Sequence, residues 1–169
     1  MNRQNLSDPN GHKVIDDLYW MERALMIAQK GASLGEVPVG AVIVQEHQLI
    51  SEAHNTRELL NDPLGHAELN AIRAATLKLQ KWRLNDCTLY VTLEPCIMCS
   101  GAIVQSRIQR VVYAAFDPKG GAVHSLYQIL SDDRLNHRPQ VEFGLLQNDA
   151  STLLKSFFTQ LRQSSKLKK

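Results

Sequence analysis

The chain has 169 residues, a mass of 19.0 kDa and a formal net charge of +2. That is the size of one domain able to fold without disulfides, and 44% hydrophobic with 21% charged residues excludes a disordered or fibrous chain. The charge is too small to mark the whole protein as a nucleic-acid binder, and no segment approaches the about eighteen consecutive apolar residues of a membrane span.

The opening MNRQNLSDPNGHK lacks the apolar core of a signal peptide, which predicts a cytoplasmic protein. Residues 1–15 read as a flexible N-terminal extension. From Asp16 to about Leu34, Leu18, Met21, Leu25 and Ala28 recur at steps of three and four, with Ile27 widening the stripe, so an amphipathic helix is expected. Gly35 and Pro38 end it. Val39 to Val44 is a β-branched run of buried-strand length, and Gln48 to Glu52 is expected to pair with it. HNTRELLNDPLG reads as a polar loop.

Ala67 to Leu79 places Leu69, Ile72, Ala75 and Leu79 on one helical face. Thr88 to Leu93 is a strand, Cys96 to about Ser106 a short helix beginning beside Pro95, and Arg110 to Ala115 another strand. A glycine-rich loop, DPKGGAVHS, leads to a short helical stretch, a strand near Gln140 to Phe143 and a last helix from about Asn148 to Arg162. Strands alternating with helices predict a sheet covered on both faces, with the two middle helices connecting parallel neighbours. Residues 16–163 read as one α/β domain and 164–169 as a basic tail. From Lys155 onward KSFFTQLRQSSKLKK has no acidic residue, which fits equally a solvated tail and an electrostatic foot for polyanions.

In a reducing compartment the pair Cys96 and Cys99, in VTLEPCIMCSGA, points to a metal or redox site rather than a disulfide. Cys87, alone at the start of a strand, reads as a small buried apolar residue. Two cysteines do not complete a zinc site. GHAELNAI offers His66 at a helix start and Glu68 two residues on. Ligands at helix starts gain from unpaired N–H groups and the positive end of the dipole, which favour thiolates. With two thiolates and a neutral imidazole, the zinc site carries no net charge and acidifies its water less than an all-histidine site would, so a nearby base must help. Glu68 is placed for that role. Each residue also has a plain use: His66 as a cap, Glu68 as a dipole partner, Glu94 and Met98 as structure. The joint pattern of His-Ala-Glu and Pro-Cys-x-x-Cys, each after a predicted strand, is what makes the site specific.

H66-A67-E68 with P95-C96-I97-M98-C99 resembles the zinc-dependent cytidine and adenosine deaminases. Within them the chain is similar to the bacterial tRNA-specific adenosine deaminases, through EVPVGAVIV, HNTRE, GHAELNAIR, TLYVTLEPCIMCSGAI, SRIQRVVYAAFDPKGGAVHSL and LNHR. The resemblance implies a three-layer α/β/α cytidine deaminase-like fold with a central mixed sheet of about five strands, and a homodimer. It implies one zinc per chain held by His66, Cys96 and Cys99, with Glu68 as proton shuttle. It further implies that Asn55 hydrogen-bonds the target base, that Asp117 and Lys119 lie near an anticodon loop, and that Phe158 or its neighbour Phe157 helps hold the splayed loop. The expected reaction is hydrolytic deamination of the wobble adenosine, position 34, to inosine in an arginine tRNA. Phe116 and His124 depart from the resemblance, standing where relatives often carry a basic or polar residue and usually a glycine.

Three rivals remain. A deaminase of free guanine or deoxycytidylate uses the same metal motif, although the basic tail and HNTRE count against it. A riboflavin-pathway deaminase needs a second domain. A silent zinc module that binds RNA would release no ammonia.

Overall fold

The structure is a computed structural model that describes residues 17–167; the expected N-terminal extension lies outside them. In chain order the elements are α1 (Asp17–Ser33), β1 (Gly40–Gln45), β2 (Gln48–His54), α2 (Arg57–Leu60), α3 (Ala67–Leu79), β3 (Cys87–Leu93), α4 (Ile97–Ser106), β4 (Arg110–Ala115), a 3₁₀ turn (Ile129–Ser131), β5 (Gln140–Phe143) and α5 (Gln147–Leu167). They form the expected mixed sheet of five strands, in the order β2-β1-β3-β4-β5.

β1 runs antiparallel to both β2 and β3, whereas β3, β4 and β5 are mutually parallel. The α4 crossover therefore joins parallel neighbours, as expected. The α3 crossover does not: it joins β2 to β3, which point the same way but have β1 between them. The C-terminal ends of β2, β3, β4 and β5 thus share one edge of the sheet, the edge where open α/β sheets carry their sites.

Period-two alternation divides the core into two layers. Ala41, Ile43, Leu89, Val91, Val111 and Tyr113 face α3 and α4, while Val42, Val44, Tyr90, Val112 and Ala114 face α1 and α5. On α1 the buried stripe is Trp20, Met21, Ala24, Ala28 and Gly31, rotated from the expected one, with Leu18 and Leu25 only half-buried at its flanks. The reason is close approach. A Cβ on Gly40 would come within 2.0 Å of the Ala24 carbonyl oxygen, so only small side chains fit between α1 and β1.

α3 is rotated in the same sense. Its buried face is Ala67, Glu68, Ala71, Ile72 and Ala75, while Leu69 and Leu79 sit at the margin. Small alanines let the helix lie close to the sheet, and the rotation turns Glu68 inward. α5 continues past the expected end near Arg162 to Leu167, and four residues of the polar loop form α2. No helix among the described residues is long and apolar enough to cross a membrane.

Candidate active site

Two helix starts meet at that edge of the sheet. His66 is the N-cap of α3 and Cys96 the N-cap of α4, both with extended backbone, and neither side chain caps its own helix. The imidazole and the thiol are left for other partners. Cys99, fully buried, follows one turn into α4. His66 Nδ1 lies 3.7 Å from Cys96 Sγ and 3.5 Å from Cys99 Sγ, and the three ligand atoms fall within 4.8 Å of one another. A tetrahedral zinc with its usual bond lengths separates nitrogen and sulphur ligands by about 3.6 Å. The donor set fits zinc in both chemistry and spacing.

The local electrostatics are those of a site prepared for a cation. The Cys99 thiol, hydrogen-bonded to Cys96, brings the Cys96 thiol down to about 4; His66 adds to this and burial opposes it. Cys99 is pushed far up by its hydrogen bond to Cys96 and by burial, and the contact with Cys96 raises His66. A divalent cation held here would bind both sulphurs as thiolates and displace their protons. Glu68, 4% exposed, is pushed by burial up to about 7, where a carboxyl both takes and gives a proton near neutrality.

His66, Glu68 and Cys96 open into a cavity of about 910 Å³ that is also lined by Asn55, Asp117, Lys119 and Phe158. Asn55 is buried and braced at both ends: Nδ2 donates to the Val37 carbonyl at 3.1 Å and Oδ1 accepts from the Ala67 N–H at 2.9 Å. It thereby fixes the first turn of α3, and its amide keeps one N–H and one lone pair for a ligand. Asp117 Oδ1 accepts from the Lys119 N–H at 3.0 Å, setting a tight turn at the cavity mouth. Phe158 is exposed into the cavity, while Phe157 is half-buried and packs edge-on against it at 5.5 Å.

Three features of the site are not legible in the sequence motifs. Ser151, Leu154, Lys155 and Arg162 of α5 recur at helical spacing with Phe158, the one residue of this face that the resemblance implies, and form one wall of the cavity. Arg57, in α2, adds a further cation to its lining. The third feature is Glu94, read from sequence as structural: its buried carboxylate is a hub. Oε1 accepts from the N–H groups of Val123 (3.1 Å), His124 (2.7 Å) and Ser125 (2.8 Å), and Oε2 from the Asp117 N–H (3.0 Å) and the Ser125 hydroxyl. Burial pushes Glu94 upward, but these bonds outweigh it and hold the carboxyl at about 2. The loop 117–125 is thereby clamped beside the residue pair that starts α4. Gly121 permits the clamp, since a Cβ there would lie 2.3 Å from the carboxylate.

Cys87 plays no part. It is fully buried and its thiol is pushed up to about 12, chiefly by burial.

Residues 15–162 match the family profile described as MafB19-like deaminase. The tRNA-specific adenosine deaminase of Streptococcus pyogenes serotype M1 is 48% identical over 154 residues, spanning 91% of this chain and 90% of the relative. The chain belongs to the tRNA-specific adenosine deaminases. A solved structure from work on A-to-I editing by tRNA:A34 deaminases at the wobble position superposes with a TM-score of 0.78 at 43% identity, covering 80% of this chain and 99% of the other. Guanine deaminase from Bacillus subtilis superposes with a TM-score of 0.58 at 41% identity, over 60% of this chain and 66% of that one. The match to this guanine deaminase thus spans less of the chain than the match to the tRNA:A34 deaminase.

Proposed function

We propose that this enzyme converts adenosine 34 of tRNA to inosine by zinc-dependent hydrolysis, with an arginine tRNA as its substrate and one zinc per chain on His66, Cys96 and Cys99. The observation that carries the reading is the convergence of those three ligands beside a buried Glu68 on a cavity whose lining includes Arg57, Lys119, Lys155 and Arg162. When bound, zinc supplies a Lewis acid that acidifies water at the open fourth position.

The remaining steps belong to the chain. Glu68 takes one proton from water and delivers it to the ring nitrogen next to C6 as the water oxygen adds to C6; it then takes the second proton from that oxygen and passes it to the amine, so that the C–N bond breaks, ammonia leaves and a C6 carbonyl remains. A carboxyl near 7 suits both directions of transfer. Asn55 offers its free amide N–H and lone pair to the base edge, and the bonds to Val37 and Ala67 keep it from turning away. The base must leave its stack to reach this floor, which costs less in a single-stranded anticodon loop than in a duplex. Phe158 presents a ring to the splayed loop, and the cations meet its phosphates.

We further propose a homodimer working in the cytoplasm. Leu59, Leu60 and Leu64 are exposed together around α2 and offer an apolar contact surface. Incubation of the zinc-loaded protein with total tRNA should produce inosine at position 34 of an arginine tRNA. Formation of no inosine in any tRNA would refute the assignment.

A further inference from the structure

Phe116 and His124, which the resemblance reads as departures from the family pattern, come together in space. Phe116 follows the last residue of β4, and Phe143 ends β5 in register with Tyr113. His124 lies on the loop clamped by Glu94. Their rings form one cluster: Phe116 to Phe143 at 5.2 Å, Phe143 to His124 at 4.7 Å, and buried Tyr113 beneath, at 5.5 Å from Phe116 and 5.7 Å from Phe143. The Tyr113 hydroxyl and His124 Nδ1 share a hydrogen bond of 2.7 Å.

A cluster of this kind normally closes a core, yet this one faces out. Phe116 is 38% exposed and Phe143 51%, His124 is exposed as well, and Phe116 lines the same cavity as Glu68 and Lys119. We infer that Phe116, braced by Phe143 and His124, is a stacking platform for an unpaired RNA base next to the target adenosine. The inference rests on the proposed RNA substrate and adds a specificity-determining residue to it.

Three physical points carry it. An exposed aromatic stacks on any base through its π face, which gives binding without sequence readout. The ring is held from several sides, so little side-chain entropy is lost when a base settles on it. Lys119 stands three residues away on the same loop, and Arg57, Lys155 and Arg162 line the same cavity, so a phosphate chain is attracted along the surface where the platform lies. An acidic peptide would use those cations but gain nothing from a flat ring.

The test compares wild type with Phe116→Ala and Phe116→Leu, the second keeping apolar volume while removing the π face. The substrates are an anticodon stem-loop and the same stem-loop made abasic at each nucleotide beside the target. Affinity and kcat are measured separately, with thermal melting to check the fold. Both variants should bind the intact loop on the order of tenfold more weakly, with kcat within about twofold of wild type. At one flanking position the abasic change should weaken wild type by a similar factor and weaken the variants no further.

Wild-type affinity in either variant overturns the platform, as do abasic penalties that remain additive with the substitution at every position. Wild-type enzyme that fails to deaminate the intact stem-loop overturns instead the substrate reading on which the platform rests.

Discussion

At the floor of the cavity the three candidate metal-ligand atoms lie within 4.8 Å of one another, held by two helix starts and a buried face of α3. At its rim Arg57, Lys119, Lys155 and Arg162 come from α2, the loop after β4 and α5, and all four are exposed. The floor is built by short sequence spacing on rigid elements, the rim by separate segments that tertiary folding brings together. Chemistry needs fixed geometry, whereas capturing a polyanion needs only charge of the right sign within reach. Floor substitutions should therefore abolish turnover, and rim substitutions should tune binding.

The largest effect is expected at the ligands. Cys99→Ala should lose both bound zinc and activity, because three ligands leave no spare, while Cys87→Ala should keep a full zinc content by elemental analysis. Full occupancy in Cys99→Ala would remove Cys99 from the site. Next, Glu68→Gln should retain zinc and fold but lose turnover by on the order of 10² to 10⁴, as expected for a lost general acid–base; single-turnover kinetics with the stem-loop would show it.

Glu94 lies between floor and rim and should show a stability effect. Its carboxyl is held at about 2 against an ordinary 4.5, so its contribution is fully present above about pH 4.5 and disappears as the pH falls towards 2. Glu94→Gln should cost about 3 kcal/mol in denaturant unfolding at pH 7, and the gap to wild type should narrow progressively below about pH 4.5. A gap that stays constant down to pH 3 would contradict the clamp. The smallest effect belongs to the rim. Lys155→Gln and Arg162→Gln should each weaken stem-loop binding a few-fold and reduce the salt slope by about 0.7 per lost phosphate contact, with kcat unchanged.

The same contrast explains what the sequence made legible. His66, Glu68, Cys96 and Cys99 were readable because each pair is a local motif on a strongly periodic element, and α3, β4 and β5 have the expected bounds. The rotation of α1 and α3 was not, since large leucines dominate a periodicity reading while the close approach at Gly40 selects alanines. Glu94 gave no signal either. Its partners lie at Asp117 and Val123 to Ser125, and a carboxylate at the end of a strand looks the same whether it accepts five hydrogen bonds or none. Phe116 and His124 stood out only as departures, and their meeting with Phe143 depends on β4 and β5 pairing in parallel.

The central claim is that this floor and this rim together select an adenosine carried in RNA. Ammonia release from the zinc-loaded enzyme, measured side by side on an arginine anticodon stem-loop, adenosine, guanine and deoxycytidylate, tests it most directly. The stem-loop should be deaminated far faster than any of the small substrates, because its phosphates and flanking bases supply binding energy that positions C6 over the metal site. Faster turnover of guanine or deoxycytidylate than of the stem-loop would contradict the account.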